Sequence, residues 1–370
     1  MNGEPNEHNV TGGNNAENTQ PEADLAGSTE FSSYAAFSPM SGRAFEKRAL
    51  YAVLTAFGAA CMADLLFQIF CLGSLTDLFI DGYSYLADKL CALRFGAYIE
   101  DAADDIFYQI YDIASYTFMM LSQICIFSVT ARILRNKGFV RTEDIPETDG
   151  GERNFTVRNI LPIMFFSLFA SMMFSWLVSI VTGDFSTAEE AFPTTDVGTL
   201  LYYASLAFFP PVLEEIAFRG VLQRSLLPYG KRFAVVVSAA VFASMHSGFS
   251  GMAYAFVSGI FYGIAAANTG SLVPGIIMHV MNNSIVFADE LLAESFPQYT
   301  DIIPSASNLV YFFFGFVSLY VLFGRKKKLS LCDGYKGELN ERERFSLTAN
   351  PILGLYFGIM MFFALSEVLY

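Results

Sequence analysis

The sequence predicts an all-α fold, a polytopic transmembrane helical bundle of about nine spans with a disordered N-terminal tail. Of its 370 residues, 54% are hydrophobic and only 16% are charged, against about 45–50% and about 25% in soluble proteins. Apolar runs of about 17–25 residues recur from residue 49 onward, and each could cross a hydrocarbon core of about 30 Å as a helix. These continuous runs argue against a β-barrel, whose strands alternate. A soluble enzyme, a nucleic-acid binder and a disulfide-stapled domain are poor candidates.

Composition divides the chain into four regions. Residues 1–42 hold six acidic residues and no lysine or arginine, which is typical of a disordered acidic tail. An N-terminal membrane region at 43–195 has about three spans, a core region at 196–290 has four, and a C-terminal membrane region at 291–370 has about two. The nine spans are predicted at about 49–74, 106–130, 160–182, 198–226, 233–249, 252–268, 272–288, 308–324 and 350–369.

The basic residues predict how the chain is oriented. Lysine and arginine collect in the short loops on the cytoplasmic side of a membrane. Nineteen of the 22 basic residues fall on one predicted side, and the loops 183–197 and 289–307 contain none. The pattern predicts a multi-pass protein of the cell membrane with its N-terminus in the cytoplasm, and nine spans would place the C-terminus outside.

Polar residues inside the apolar runs predict where function resides. A charged side chain at mid-membrane costs about 2.5–3.5 kcal/mol, so those present usually face a cavity or a partner. Here they concentrate in the fourth, fifth and seventh spans. The residues are Glu214, Glu215 and Arg219 after Pro210–Pro211, then His246, and then His279 and Asn283.

Helical spacing sorts these residues by face. Residues four apart lie on one face of a helix, whereas adjacent residues diverge by about 100°. Glu215 can therefore pair with Arg219, while Glu214 points elsewhere and is free to face a central cavity. His279 and Asn283 share a face as well. Counted from the cytoplasmic ends of the spans, these site residues differ in depth by about 9 Å at most, so they can meet in one pocket.

Such a pocket can support peptide hydrolysis without a covalent intermediate. A carboxylate beside an imidazole can hold and deprotonate a water molecule. A second imidazole and a carboxamide can donate hydrogen bonds to the oxyanion that develops on a scissile carbonyl.

Three motifs in this part of the chain resemble those of a known family. They are Glu214-Glu215-x-x-x-Arg219, Phe242-x-x-x-His246 and His279-x-x-x-Asn283. In this order and within apolar spans they resemble the CPBP intramembrane proteases, which include the type II CAAX prenyl endopeptidases and the bacterial bacteriocin-processing and immunity (Abi) proteins. The resemblance covers about residues 196–290, the predicted protease core.

The resemblance implies an intramembrane endopeptidase and a role for each motif residue. Glu214 and His246 would activate water, His279 and Asn283 would stabilise the oxyanion, and Glu215 with Arg219 would support the site. The substrate would be a membrane-bound or lipidated peptide, processed as in CAAX maturation or in bacteriocin maturation or immunity. The implied partners are that peptide and the lipid bilayer, with no nucleic acid.

Three alternatives stay open from the sequence. No cofactor is predicted, but one zinc ion could be held by Glu214, His246 and His279, although the HExxH motif is absent. A proton-coupled transporter would use the same ionisable residues, yet it predicts an inverted repeat that the sequence does not show. A catalytically silent immunity or scaffold protein is the third alternative, against which the intact motifs argue.

The predicted orientation can be measured by cysteine labelling. Residues 325–328 are Arg-Lys-Lys-Lys, a basic segment that is predicted to be cytoplasmic. In a cysteine-free background, Lys326→Cys should therefore react with a membrane-impermeant maleimide only after the membrane is opened. Thr300→Cys in the loop 289–307 should react in intact cells. The reverse labelling pattern would show that the predicted orientation is wrong.

Overall fold

The computed structural model describes residues 42–140, 157–183, 192–300, 302–324 and 335–369. Every regular element in these ranges is a helix, which confirms the all-α prediction. The predicted tail lies outside the described residues except for Gly42, with which the first helix begins. The basic segment 325–328 also lies outside them.

Eleven helices follow one another within the described ranges. They are α1 (Gly42–Asp77), α2 (Ile80–Phe95), α3 (Glu100–Asn136), α4 (Val157–Thr182), α5 (Asp196–Tyr229), α6 (Lys231–Ala243), α7 (Gly248–Thr269), α8 (Val273–Ser295), α9 (Ile303–Gly324), α10 (Glu341–Ser346) and α11 (Pro351–Leu369). Seven of them, α1, α3, α4, α5, α7, α8 and α9, contain stretches that are long and apolar enough to cross a membrane. The chain is therefore a multi-pass membrane protein.

Each of the nine predicted spans coincides with a helix, but two of these helices are shorter than a full span. The fifth corresponds to α6, which has 13 residues and ends at Ala243. Residues 244–247 form a turn, so the predicted span 233–249 is too long at this end; their sequence, Ser-Met-His-Ser, is more polar than the helix before it. The ninth corresponds to the shorter apolar helix Pro351–Ser366. Between the first two predicted spans lies α2, which has 16 residues and includes the charged residues Asp81, Asp88, Lys89 and Arg94.

One end of the bundle gathers the segments next to the basic loops, which are the stretches 43–48, 131–159, 224–232 and 325–344 of the sequence. The hydroxyl of Tyr229 at the end of α5 donates to the carbonyl of Phe139 at 2.5 Å, and the carbonyl of Tyr229 accepts from the guanidinium of Arg344. Arg43 at the start of α1 pairs with Glu343 at 2.5 Å. These contacts tie α1, α3, α5 and α10 together at this end.

The last helix packs closely on the first. A Cβ atom on Gly58 of α1 would lie only 2.9 Å from the backbone nitrogen of Leu353 in α11, so the glycine is what allows the two backbones to approach. Asn350, just before α11, donates to Thr55 of α1 at 2.5 Å. Thus α11 is held against α1 by both packing and a hydrogen bond.

Helix α5 is irregular where it enters the site. It contains π-helical turns at Ala204–Phe208 and Glu215–Gln223. Pro210–Pro211 has no N–H groups, so the carbonyl of Leu206 lacks the backbone donors four and five residues ahead. Asn283 of α8 donates to that carbonyl at 3.0 Å. A side chain of α8 thus replaces the missing backbone donor and fixes α8 against α5.

Two glycines bring α7 close to α5. Arg219 Nη2 donates to the carbonyl of Gly259 at 3.1 Å, and Gln223 Nε2 donates to the carbonyl of Gly263 at 2.9 Å. A Cβ atom on Gly259 would lie 3.0 Å from the guanidinium of Arg219. The Gly259-x-x-x-Gly263 motif therefore serves close packing and also exposes two backbone carbonyls to long polar side chains.

Candidate active site

Four motif side chains line one cavity of about 600 Å³. They are Glu214, His246, His279 and Asn283. Glu214 and His279 are buried, whereas His246 and Asn283 are partly exposed. The side chains come from α5, from the turn between α6 and α7, and from α8. The structure thus brings together the residues that the sequence predicts to meet, while their catalytic roles stay predictions.

A second cavity, of about 280 Å³, lies next to two of these residues. Glu214 and His246 line both cavities, as do Tyr116 and Phe242. The second cavity is completed by α1 and α11, which contribute Cys61, Leu65, Gln68, Tyr356 and Met360. Glu214 and His246 therefore border both spaces.

Glu215 and Arg219 form a buried ion pair. Arg219 Nη1 lies 2.9 Å from Glu215 Oε1, and both side chains are 0% exposed. The guanidinium carbon also lies 4.5 Å from the ring centroid of Phe242 and 5.6 Å from that of Tyr262, within cation–π range. The i,i+4 pairing expected from the sequence is thus formed, and aromatic faces surround the positive charge.

His279 bridges the two adjacent glutamates. Its Nδ1 lies 3.3 Å from Glu215 Oε1 and its Nε2 lies 3.4 Å from Glu214 Oε2. The ring stacks on Tyr262 with centroids 4.8 Å apart and an interplanar angle of 26°. Although Glu214 and Glu215 diverge around the helix, an imidazole with nitrogens on two sides can contact both carboxylates.

The hydrogen bond of His246 indicates its tautomer. Its Nδ1 lies 3.1 Å from the carbonyl oxygen of Phe242. Because a carbonyl can only accept, we assign the proton to Nδ1, which leaves Nε2 of the neutral ring as a proton acceptor. His246 is thus suited to accept a proton from a water molecule in the cavity.

The carboxamide of Asn283 is held on two sides. One of its two N–H groups is used by the carbonyl of Leu206, and its oxygen accepts from Asn282 at 3.2 Å. Tyr254 donates in turn to Asn282 Oδ1 at 2.6 Å. The second N–H of Asn283 stays available for an oxyanion.

Sequence reasoning did not assign three polar residues of the cavity wall whose hydrogen bonds connect to Glu214 or Asn283. They are Tyr116, Tyr254 and Asn282. The hydroxyl of Tyr116 in α3 donates to Glu214 Oε1, but nothing in the sequence separates it from the other 18 tyrosines. Asn282 could have been identified from the sequence, because it is a polar residue in an apolar span and adjoins the motif residue Asn283.

Zinc is the alternative cofactor that the sequence leaves open. Zinc needs three protein ligands at about 2.0–2.2 Å, and the predicted set is Glu214, His246 and His279. Within the part of the chain that the structure describes, no group of three or more His, Cys, Asp or Glu side chains is arranged to hold a metal ion. These three residues therefore do not form a preassembled zinc site here.

The region that contains the three motifs matches a known protein family. Residues 196–285 match the family described as Type II CAAX prenyl endopeptidase Rce1-like. The match confirms the resemblance to the CPBP proteases over this region and supports a CAAX-type intramembrane protease in general. No curated protein and no solved structure matches the chain.

The buried ion pair should dominate stability. In Glu215→Gln, Arg219 would keep its charge without a buried anion, which should cost about 3–5 kcal/mol of folding free energy. The matched control is Arg94→Gln, because the Arg94–Asp196 pair is 54% and 56% exposed and such pairs contribute about 1 kcal/mol or less. Thermal unfolding in detergent should show a large loss for Glu215→Gln alone, and equal melting temperatures for the two variants would contradict the prediction.

Proposed function

We propose that this multi-pass membrane protein, whose residues 196–285 match the Type II CAAX prenyl endopeptidase Rce1-like family, is an endopeptidase that acts through water activated by Glu214 and His246. The bond cleaved lies near the C-terminus or in the leader of a membrane-associated peptide. The observation that carries the proposal is the position of Glu214 and His246 at both cavities, with Nδ1 of His246 against the carbonyl of Phe242.

The proposed first step forms a tetrahedral intermediate. Glu214, assisted by His246, takes a proton from water, and the water oxygen forms a bond to the scissile carbonyl carbon. The π electrons of the carbonyl move to its oxygen, which becomes an oxyanion. When the intermediate collapses, the C–N bond breaks and the proton held by Glu214 passes to the departing amine.

Asn283 and His279 are the proposed oxyanion donors. Asn283 has a second N–H for this purpose, since the first is used by the Leu206 carbonyl. His279 Nε2 lies against Glu214 before the reaction. Once Glu214 has taken the proton its negative charge is gone, so an N–H at this nitrogen is freer to turn toward the oxyanion.

The proposed location is the cell membrane, with the N-terminus in the cytoplasm. The support is the agreement between two observations. Nineteen basic residues fall on one predicted side of the spans, and contacts such as Arg43–Glu343 gather segments next to the basic loops at one end of the bundle.

Replacing Glu214 tests the proposed mechanism. Glu214→Gln keeps the shape of the side chain but removes the base, so the cleavage rate should fall by about a hundredfold or more. The measurement is cleavage of a farnesylated peptide ending in Cys-aliphatic-aliphatic-X and of a double-glycine leader peptide, with purified protein in lipid nanodiscs. Glu338→Gln, which changes an exposed carboxylate, is the control and should behave like wild type. The proposal is wrong if wild type cleaves neither probe, or if Glu214→Gln matches it.

We propose further that no metal takes part. The support is that Glu214 and His246 together can prepare the water, while Glu214, His246 and His279 are not arranged as a zinc site. Protein purified without added metal should be fully active and should keep its activity in a strong chelator. Stoichiometric bound zinc, with activity lost to the chelator and restored by zinc alone, would overturn this part of the proposal.

A further inference from the structure

Tyr116 reaches the predicted base from a helix outside the matched region. It lies on α3, and its hydroxyl donates to Oε1 of Glu214. The matched region begins only at residue 196. Tyr116 also lines both cavities, so its contact with Glu214 is made where water and substrate would meet.

The position of Tyr116 is fixed by the packing of α3. On the same helix, Phe127 packs edge-on against Phe218 of α5 at 6.1 Å and against Phe57 of α1 at 5.8 Å. Tyr116 itself packs against the apolar cluster that contains these rings. Because α3 is a continuous helix of 37 residues, this packing sets where the hydroxyl lies relative to α5.

Tyr116 and His279 hold Glu214 from two sides. The hydroxyl contacts Oε1, whereas Nε2 of His279 lies 3.4 Å from Oε2. A glutamate side chain has three rotatable bonds, and two contacts on opposite oxygens restrict its orientation. Each carboxylate oxygen can accept more than one hydrogen bond, so the carboxylate can still accept one from water.

We infer that Tyr116 is a positioning residue that holds Glu214 in the orientation in which it activates water. This inference rests on the proposed function, because it gives Tyr116 a role only through Glu214. It also makes α3 part of the active site. The region 196–285 alone has only one of the two groups that hold Glu214, which is His279.

The test is the variant Tyr116→Phe, which removes only the hydroxyl. Hydrogen bonds to charged groups contribute enough that kcat on the farnesylated peptide should fall about tenfold to a hundredfold, while KM stays unchanged and the variant stays folded. The control is Tyr311→Phe, which removes a 2.8 Å hydrogen bond to Asp289 away from these cavities and should keep the wild-type kcat. Tyr116→4-fluorophenylalanine, which fills the space of the hydroxyl without donating, should be as slow as Tyr116→Phe.

A double variant separates positioning of Glu214 from an independent effect. If Tyr116 acts through Glu214, then Tyr116→Phe in a Glu214→Gln background should slow cleavage no further. Effects that multiply would overturn the inference, as would a wild-type kcat in Tyr116→Phe or recovery in the fluorinated variant. A variant that loses its folded state would overturn it too, because the hydroxyl would then be structural. If Glu214→Gln is inactive and Tyr116→Phe is normal, only this inference fails; if Glu214→Gln is fully active, the proposed function fails.

Discussion

The buried pair of Glu215 and Arg219 is the constraint on which the arrangement of the site depends. Taking two charges out of water costs several kcal/mol for each ion, and their mutual attraction offsets this only with good geometry and further hydrogen bonds. The surroundings of the pair meet this need. A backbone carbonyl accepts from Arg219, the ring of Phe242 faces its guanidinium, and His279 contacts Glu215.

These requirements explain features that otherwise look unrelated. Gly259 has to lack a side chain, because a Cβ atom there would meet the guanidinium. A Cβ atom on Gly275 of α8 would lie 2.7 Å from Glu215 Oε2, so α8 also needs a glycine beside the pair. The close approach of α8 places His279 between the two glutamates. The contacts around the buried pair thus affect how closely α7 and α8 approach α5. The position of α8 in turn places His279 beside Glu214.

Much of this arrangement could be predicted from the sequence, because charges in apolar runs are informative. The spacing of Glu215 and Arg219 predicted their pairing, and the depths of the motif residues predicted a shared pocket. The turn that carries His246 was missed, although residues 244–248 are Ser-Met-His-Ser-Gly, which is more polar than the helix before them and includes the turn dipeptide Ser-Gly. The bridging by His279 was also missed, because periodicity describes one helix and this contact depends on how α5 and α8 face each other. Tyr116 lies in an ordinary apolar helix, and only tertiary packing brings it to Glu214.

The contact between α1 and α11 has a consequence for biosynthesis. Thr55 and Asn350 are separated by 295 positions, and α11 supplies Tyr356 and Met360 to the smaller cavity. A chain is synthesised from its N-terminus at about 5–20 residues per second, so α1 is made many seconds before α11. During that interval the cavity lacks one wall and lipid can occupy its place. A nascent chain that already contains every motif residue is thus still incomplete as a site, and the full enclosure around Glu214 arises only when α11 has been inserted.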